Sequence, residues 1–311
     1  MTVYTLAILG GVVLALFGKQ QLRAAGLVLL GAVVLALLSR STLIRSPLRP
    51  QPEPRTEPLA PGVTYHREPR TDPRPIVIHR VTLALDAVTF FVTPPEPTAR
   101  GGHMPARTTC GFVRDFPVDL AINGDGFRPG VSLGPFYQMP LPGGPIAVVG
   151  DAASTGDLYS GGGPGPTLYL SAENEVGFGS PRGPFYNAIS GREILVRDGR
   201  SLVARINRVT HPRTAVGLDR DTNTLILLVV DGRQPTVSVG VTVAELAELF
   251  IEYGAEDALN LDGGGSSALA LRTDSGCRTL NTPVDGGLVG QERPVANHLG
   301  VIFMTPATGD P

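Results

Sequence analysis

Glycine and proline limit this chain more than any other feature: 39 glycines and 29 prolines among 311 residues cut it into runs too short for a helical bundle. What survives between the breaks is a series of short apolar or alternating segments. Ile76–Leu85, Val118–Ile122, Ile194–Val196, Thr214–Leu218 and Leu225–Val230 have the composition and length of strands. Asp219–Asn223 is a polar turn of hairpin length, so the strands on either side of it should pair antiparallel. One helix stands out: Thr242 and Glu245 have capping-box spacing, and Leu246, Leu249, Phe250 and Tyr253 form an apolar stripe that stops at Gly254. Ala258–Leu261 returns as a strand and feeds a glycine triplet. The predicted class is α+β, with a mixed, largely antiparallel sheet and few helices. Hydrophobic residues make up 42% of the chain, enough for a sizeable core in one large or two small domains.

The N-terminus is different in kind. Val3–Phe17 and Ala24–Leu38 are apolar stretches separated by a loop carrying Lys19 and Arg23, the pattern of a transmembrane helical hairpin. A cytoplasmic loop would leave both termini outside, although Arg40, Arg45 and Arg49 oppose that orientation. A competing reading makes the second stretch the core of a signal peptide cleaved near Ala36–Ser39. Prolines crowd Ser46–Pro75, which reads as an extended spacer. The expected organisation is therefore an anchoring hairpin over 1–38, a linker over 39–75 and a catalytic body over 76–306, placed outside the cytoplasm.

Charge narrows the partners. The first fifty residues contain five basic and no acidic side chains, leaving 21 basic against 28 acidic residues after Pro50, a net −7. An acidic body without a basic stripe disfavours nucleic acid and leaves metabolites or glycans. Cys110 and Cys277 are either a disulfide, if the body is exported, or two buried thiols.

Three strands end in a carboxylate beside glycine: Asn123-Gly-Asp125, Asp231-Gly-Arg233 and Asn260-Leu-Asp262-Gly263-Gly264-Gly265-Ser266-Ser267. Consecutive glycines let backbone approach a ligand closely, and the serines add hydroxyl and amide donors. A tight turn whose Asp caps its own backbone is the structural alternative. Arg213-Thr214 and Arg293-Pro-Val-Ala-Asn297 supply guanidinium groups suited to phosphate. No zinc spacing occurs, and Asp125, Asp231, Asp262 and Asp285 lack a calcium-loop signature, so no cofactor is assigned and a divalent cation is left open. A P-loop is excluded, because the only lysine is Lys19.

Taken in order, Pro212–Gly217, Val229–Arg233, Gly240–Ala247, Asn260–Ser267 and Arg293–Asn297 resemble the phosphodiester glycosidase family. The similarity runs from Leu83 to Phe303 and is most specific between Arg213 and Ser267. It implies a hydrolase that cleaves the glycosidic bond of a sugar 1-phosphodiester in envelope or exopolysaccharide glycan metabolism. On that reading Asp262 and Asp231 are the catalytic carboxylates. Arg213, Arg233 and Arg293 face the phosphate, and Asn123, Asp125, Thr214, Asn260, Asn297 and the loop 263–267 complete the substrate site. Two rivals stand beside it: a serine hydrolase using Ser266 with His298, and a non-catalytic glycan- or phosphodiester-binding envelope module.

Overall fold

The computed structural model describes residues 49–95, 104–129, 140–179, 185–204, 206, 208–221 and 223–304. Both apolar N-terminal stretches lie outside these residues. Among the described residues no helix is long and apolar enough to cross a membrane.

Three antiparallel sheets carry the body. The first has eight strands: β1 (Arg55–Ala60), β2 (Val63–Arg70), β3 (Ile76–Ala84), β14 (Glu193–Arg197), β15 (Arg200–Ser201), β16 (Arg213–Asp219), β17 (Thr224–Val230) and β18 (Ala255–Asn260). They lie in the order β1-β2-β3-β17-β16-β18-β14-β15. The second comprises β4 (Val88–Val92), β6 (Leu120–Asn123), β19 (Leu269–Thr273), β20 (Gly276–Thr279) and β23 (His298–Phe303), in the order β20-β19-β6-β23-β4. The third comprises β9 (Ala152–Ser154), β10 (Asp157–Ser160), β11 (Thr167–Leu170), β12 (Val176–Gly179) and β13 (Asn187–Ser190), in the order β10-β9-β13-β11-β12. Short pairs involve β5 (Met104–Pro105), β7 (Phe127–Pro129) and β8 (Pro145–Val148), and β21 (Val284–Asp285) with β22 (Leu288–Val289). Two α-helices complete the described structure, α1 (Thr109–Asp115) and α2 (Val243–Glu252). The class is α+β with few helices, and the sheets are antiparallel throughout rather than mixed.

Period-two alternation explains how the layers stack. On β17, Leu225, Leu227 and Val229 face a core shared by all three sheets, with Leu120 and Ile122 of β6 and Leu168 and Leu170 of β11. Ile226, Leu228 and Val230 face α2, against Leu246 and Phe250. The helix begins where the sequence placed it: the Thr242 hydroxyl accepts from Glu245 N, and the Glu245 carboxylate accepts from Thr242 N at 2.8 Å. Gly217 lets it pack closely, since a β-carbon there would sit 2.5 Å from the Phe250 ring. On the second sheet, a disulfide joins Cys110 of α1 to Cys277 of β20 across a sequence separation of 167.

The spacer reading is corrected over its second half. Residues 55–70 form the hairpin β1–β2, which pairs in full with β3 from Val63↔Leu83 to Arg70↔Ile76. Pro58 is tolerated because β1 is an edge strand, and Pro69 because it sits near the end of the ladder. The folded body therefore incorporates chain that the proline count assigned to a tether.

Candidate active site

Asn123, at the end of β6, is the joint of the site. Its Nδ2 donates to the Asp262 carbonyl at 2.7 Å, and its Oδ1 accepts from Thr214 Oγ1 at 2.7 Å and Ala268 N at 3.2 Å. Asn123 and Thr214 are both fully buried. Expected as ligand contacts, they lie beneath the surface and fix the ends of β6, β16 and β18 relative to one another.

Asp125 follows, held by Asn297. The Asn297 Oδ1 accepts from Asp125 N at 2.8 Å, its Nδ2 donates to Asp125 Oδ2, and the same Nδ2 reaches Tyr159 OH at 3.3 Å. Asp125 is 1% exposed, and its Oδ1 makes no hydrogen bond. Burial pushes its carboxyl well above the usual range, and the nearby Asp262 carboxylate adds to the effect against the opposing pull of Asn297. The carboxyl lines a cavity of about 470 Å3 together with Phe127, Gly150, Gly165, Ser190 and Arg192. Asp262 is ion-paired with Arg192 Nη2 at 2.5 Å, with side-chain exposures of 8% and 59%. Two neighbouring carboxyl groups thus have opposite environments, one buried with its pKa raised and one held beside a guanidinium.

Arg192 and Ser190 escaped the sequence reading. They sit in the turn from β13 to β14, where Gly191 allows close approach: a β-carbon there would lie 2.5 Å from the Asn260 carbonyl. Arg192 N donates to that carbonyl at 2.8 Å, and Asn260 Nδ2 donates to Glu193 Oε1 at 2.8 Å. The available signal was Ser190-Gly-Arg192 closing the apolar pair Ala188-Ile189, a strand end that lacks the carboxylate.

Two glycines of the triplet, Gly264 and Gly265, have an arginine tightly against them, while Gly263 packs on the Pro212 carbonyl, 3.0 Å from where its β-carbon would be. A β-carbon at Gly263 would lie 3.8 Å from the Arg213 backbone and side chain, one at Gly264 would meet Arg233 Nη2 at 2.8 Å, and one at Gly265 would overlap Arg293. Gly264 also has φ of +68°, a conformation that favours glycine. Arg293 is tied to Asp285 at 2.9 and 2.6 Å. Arg213 and Arg233 donate to backbone carbonyls, those of Val241 and Val284, at 3.2 and 3.3 Å. Burial lowers the pKa of both, and it also lowers that of His211, reinforced there by these two guanidinium groups. The hydroxyls of Ser266 and Ser267 are buried without a hydrogen-bond partner. A cluster of this composition can receive an anion.

Asp231 is elsewhere. Its Oδ2 lies 3.2 Å from His79 Nε2, whose Nδ1 is 2.8 Å from Tyr65 OH, and its Oδ1 accepts from Thr282 N at 2.8 Å and Asn281 Nδ2 at 3.3 Å. It borders a separate cavity of about 370 Å3. β16 lies between β17 and β18, so the ends of the two strands are one strand apart at the same edge of the sheet, and Asn281 Nδ2 links Asp231 Oδ1 to the Ser267 carbonyl at 3.3 and 3.2 Å. Asp231 is thus a buried side chain whose hydrogen bonds go to His79, Asn281 and Thr282, bordering a different cavity from Asp125. The serine-hydrolase alternative also loses its geometry. Ser266 Oγ has no histidine partner, and His298 is fully buried, stacked on Phe112 at 4.7 Å and pushed down to about 3 by burial. Among the described residues no three His, Cys, Asp or Glu side chains are grouped to hold a metal.

Three sheets, a carboxylate pair and an arginine-lined glycine loop can be set beside known proteins. Residues 120–302 match the family model described as phosphodiester glycosidase, and the chain belongs to that family. Among its relatives, the mouse N-acetylglucosamine-1-phosphodiester alpha-N-acetylglucosaminidase is 30% identical over 253 residues, 69% of this chain and 44% of the mouse protein. The bovine enzyme of that name is 34% identical over 122 residues, 34% of this chain and 22% of its own length. The chain thus spans less than half the length of these relatives. The structure of the zebrafish enzyme's catalytic domain, auto-inhibited by its pro-peptide, matches with a TM-score of 0.60 at 21% identity, covering 81% of this chain and 88% of that one. A hypothetical protein from Synechocystis matches at 0.57 and 16% identity, over 81% and 64%. At these identities the structural likeness shows the fold.

Proposed function

We propose that the protein hydrolyses the glycosidic bond of a sugar 1-phosphodiester. The observation that carries this reading is a buried Asp125 carboxyl, its pKa raised, near an Asp262 that is ion-paired with Arg192, beside the glycine loop and its arginines. Asp262, held by Arg192, serves as the carboxylate that acts on the anomeric carbon or activates water there. Asp125 gives its proton to the bridging oxygen as the C–O bond breaks. A phosphomonoester's second pKa is about 6, so the departing group carries most of its own charge. Arg213, Arg233 and Arg293, with the backbone amides of 263–267, stabilise that charge as it develops. Asn260, whose Oδ1 is buried without a partner, completes the sugar side. No step is assigned to a metal.

Membership of the family supports the bond type, and the relatives' names suggest N-acetylglucosamine as the first sugar to try. Anchoring by residues 1–38, placement outside the cytoplasm and a role in envelope or exopolysaccharide glycan metabolism belong to the same proposal. The Cys110–Cys277 disulfide favours an oxidising compartment. The test is release of free reducing sugar from a panel of sugar 1-phosphodiesters by the full chain, with Asp262→Asn and Asp125→Asn as controls. Undiminished release by Asp262→Asn sinks its assignment. Binding without turnover of any substrate replaces the enzyme with a binding module.

A further inference from the structure

The cavity of about 370 Å3 that Asp231 borders shares no lining residue with the one that holds Asp125. His79, Asp231 and Asn281 line it, all buried and joined in a closed polar network. Both Asp231 oxygens are taken, Oδ2 by His79 Nε2 and Oδ1 by Thr282 N and Asn281 Nδ2, while His79 Nδ1 meets Tyr65 OH. Two arginines, Arg49 and Arg67, border the same space. Arg67 lies on β2 directly opposite Arg55 of β1, a like-charged cross-strand pair that costs stability unless something balances it. Arg55 has a partner, Glu57 at 2.7 Å, and Arg278 of β20 reaches the same carboxylate at 3.9 Å. Arg67 donates from Nε to the Glu53 carbonyl at 2.8 Å, and among the described residues no carboxylate pairs with it. Arg49 is placed by Gln51, whose Nε2 lies 3.1, 3.4 and 2.9 Å from the carbonyls of Arg70, Ile76 and Val237. Its guanidinium makes only long bonds, 3.5 Å to Gln234 Oε1 and 3.4 Å to Thr282 Oγ1. Burial pushes the Tyr65 hydroxyl up to about 12; against that, Arg67 pulls it down more strongly than Asp231 lifts it, and Arg55 and Arg278 add to the pull. The field beside the cavity is therefore positive although a carboxylate lines it.

We propose that this cavity is an anion site separate from the catalytic one, and that its ligand is a phosphate group, free or as a phosphomonoester, held between the Arg49 and Arg67 guanidinium groups. The inference does not depend on the hydrolytic reading. Two guanidinium groups arriving from separate segments present more donors than the two oxygens of a carboxylate can use, whereas a phosphate offers at least three acceptor oxygens. Asp231 does not compete for the arginines, because its bonds to His79, Asn281 and Thr282 N occupy it. Asn281 also fixes the site's place in the molecule. The side chain that lines this cavity donates to the Ser267 carbonyl at 3.2 Å, so the cavity abuts the glycine loop while no residue of that loop lines it.

The experiment titrates inorganic phosphate, glycerol phosphate and acetate into the full chain at constant ionic strength, with binding followed by calorimetry. Arg49→Gln/Arg67→Gln should weaken one class of phosphate sites at least about ten-fold, since it removes charge-assisted hydrogen bonds. Arg233→Gln, which disturbs the cluster at the glycine loop, should leave that class in place. A second readout needs no variant. Phenylglyoxal modifies accessible guanidinium groups, and saturating phosphate should slow its reaction with Arg67 several-fold, as read from peptide masses, while acetate should not. Glycerol phosphate that protects as well as inorganic phosphate extends the site to phosphomonoesters; protection by inorganic phosphate alone restricts it to the free ion, and either result upholds it. Unchanged phosphate binding in the double variant, modification of Arg67 that phosphate does not slow, or equal protection by acetate overturns the inference.

Discussion

Replacing Asp125 by asparagine separates chemistry from stability. Burial raises the pKa of this carboxyl in the native state above that of the unfolded chain, near 3.9. The folded state then binds more protons than the unfolded one, and stability falls as pH rises. The contribution is complete below about pH 4 and is lost at about 1.4 kcal/mol per pH unit until the raised native pKa is passed. Asparagine keeps the shape and a neutral charge, and its carbonyl can still accept from Asn297 Nδ2. Asp125→Asn should therefore lack this slope. Relative to wild type it should gain stability progressively as the pH rises above the ordinary carboxylate range. Urea unfolding of both proteins across that range, followed by two probes, measures the difference. In the same variant kcat should drop about 10²- to 10⁴-fold, and the alkaline limb of the pH profile should disappear. A stability difference that stays flat with pH would refute the protonated carboxyl, and with it the assignment of Asp125 as the acid.

Removing the guanidinium in Arg192→Met should lower kcat about 10- to 100-fold while changing stability by less than about 1 kcal/mol, because the arginine is largely solvent-exposed; paired kinetics and melting curves check this. Asp231→Asn should do the reverse, costing about 1.5–3 kcal/mol through its buried bonds to His79 and Thr282 N and leaving the kcat of folded protein near wild type; a collapse of kcat at unchanged stability would restore Asp231 to the site. Cys110→Ser with Cys277→Ser should destabilise the body by about 2–5 kcal/mol, given the long loop the disulfide closes, as read from denaturation with and without reductant.

The parts of the fold that were legible in the sequence depend on local physics. The capping box at Thr242 and Glu245, the β16–β17 hairpin and the strand feeding Gly263 are each decided by a few neighbouring residues. The β1–β2 hairpin was hidden because prolines speak against strands unless the strand's place in the sheet is known. The carboxylates show the same limit. Asp125, Asp231 and Asp262 look equivalent in the sequence, each at a strand end beside glycine, and only their partners from distant parts of the chain, Asn297, His79 and Arg192, tell them apart. Arg192 carried no strand-end carboxylate to mark it, and its importance arises from a contact with a residue 70 positions away.

The arginines packed against Gly264 and Gly265 have a bearing on selectivity. A surface composed of bare main chain and guanidinium has few side-chain contours for a ligand to match, so on the proposed reading it senses charge and is indifferent to what lies beyond the phosphate. Discrimination then falls to the opposite side, where Asp125, Ser190 and Phe127 give the cavity its shape. The enzyme would be strict about the sugar it frees and permissive about the molecule from which it frees it.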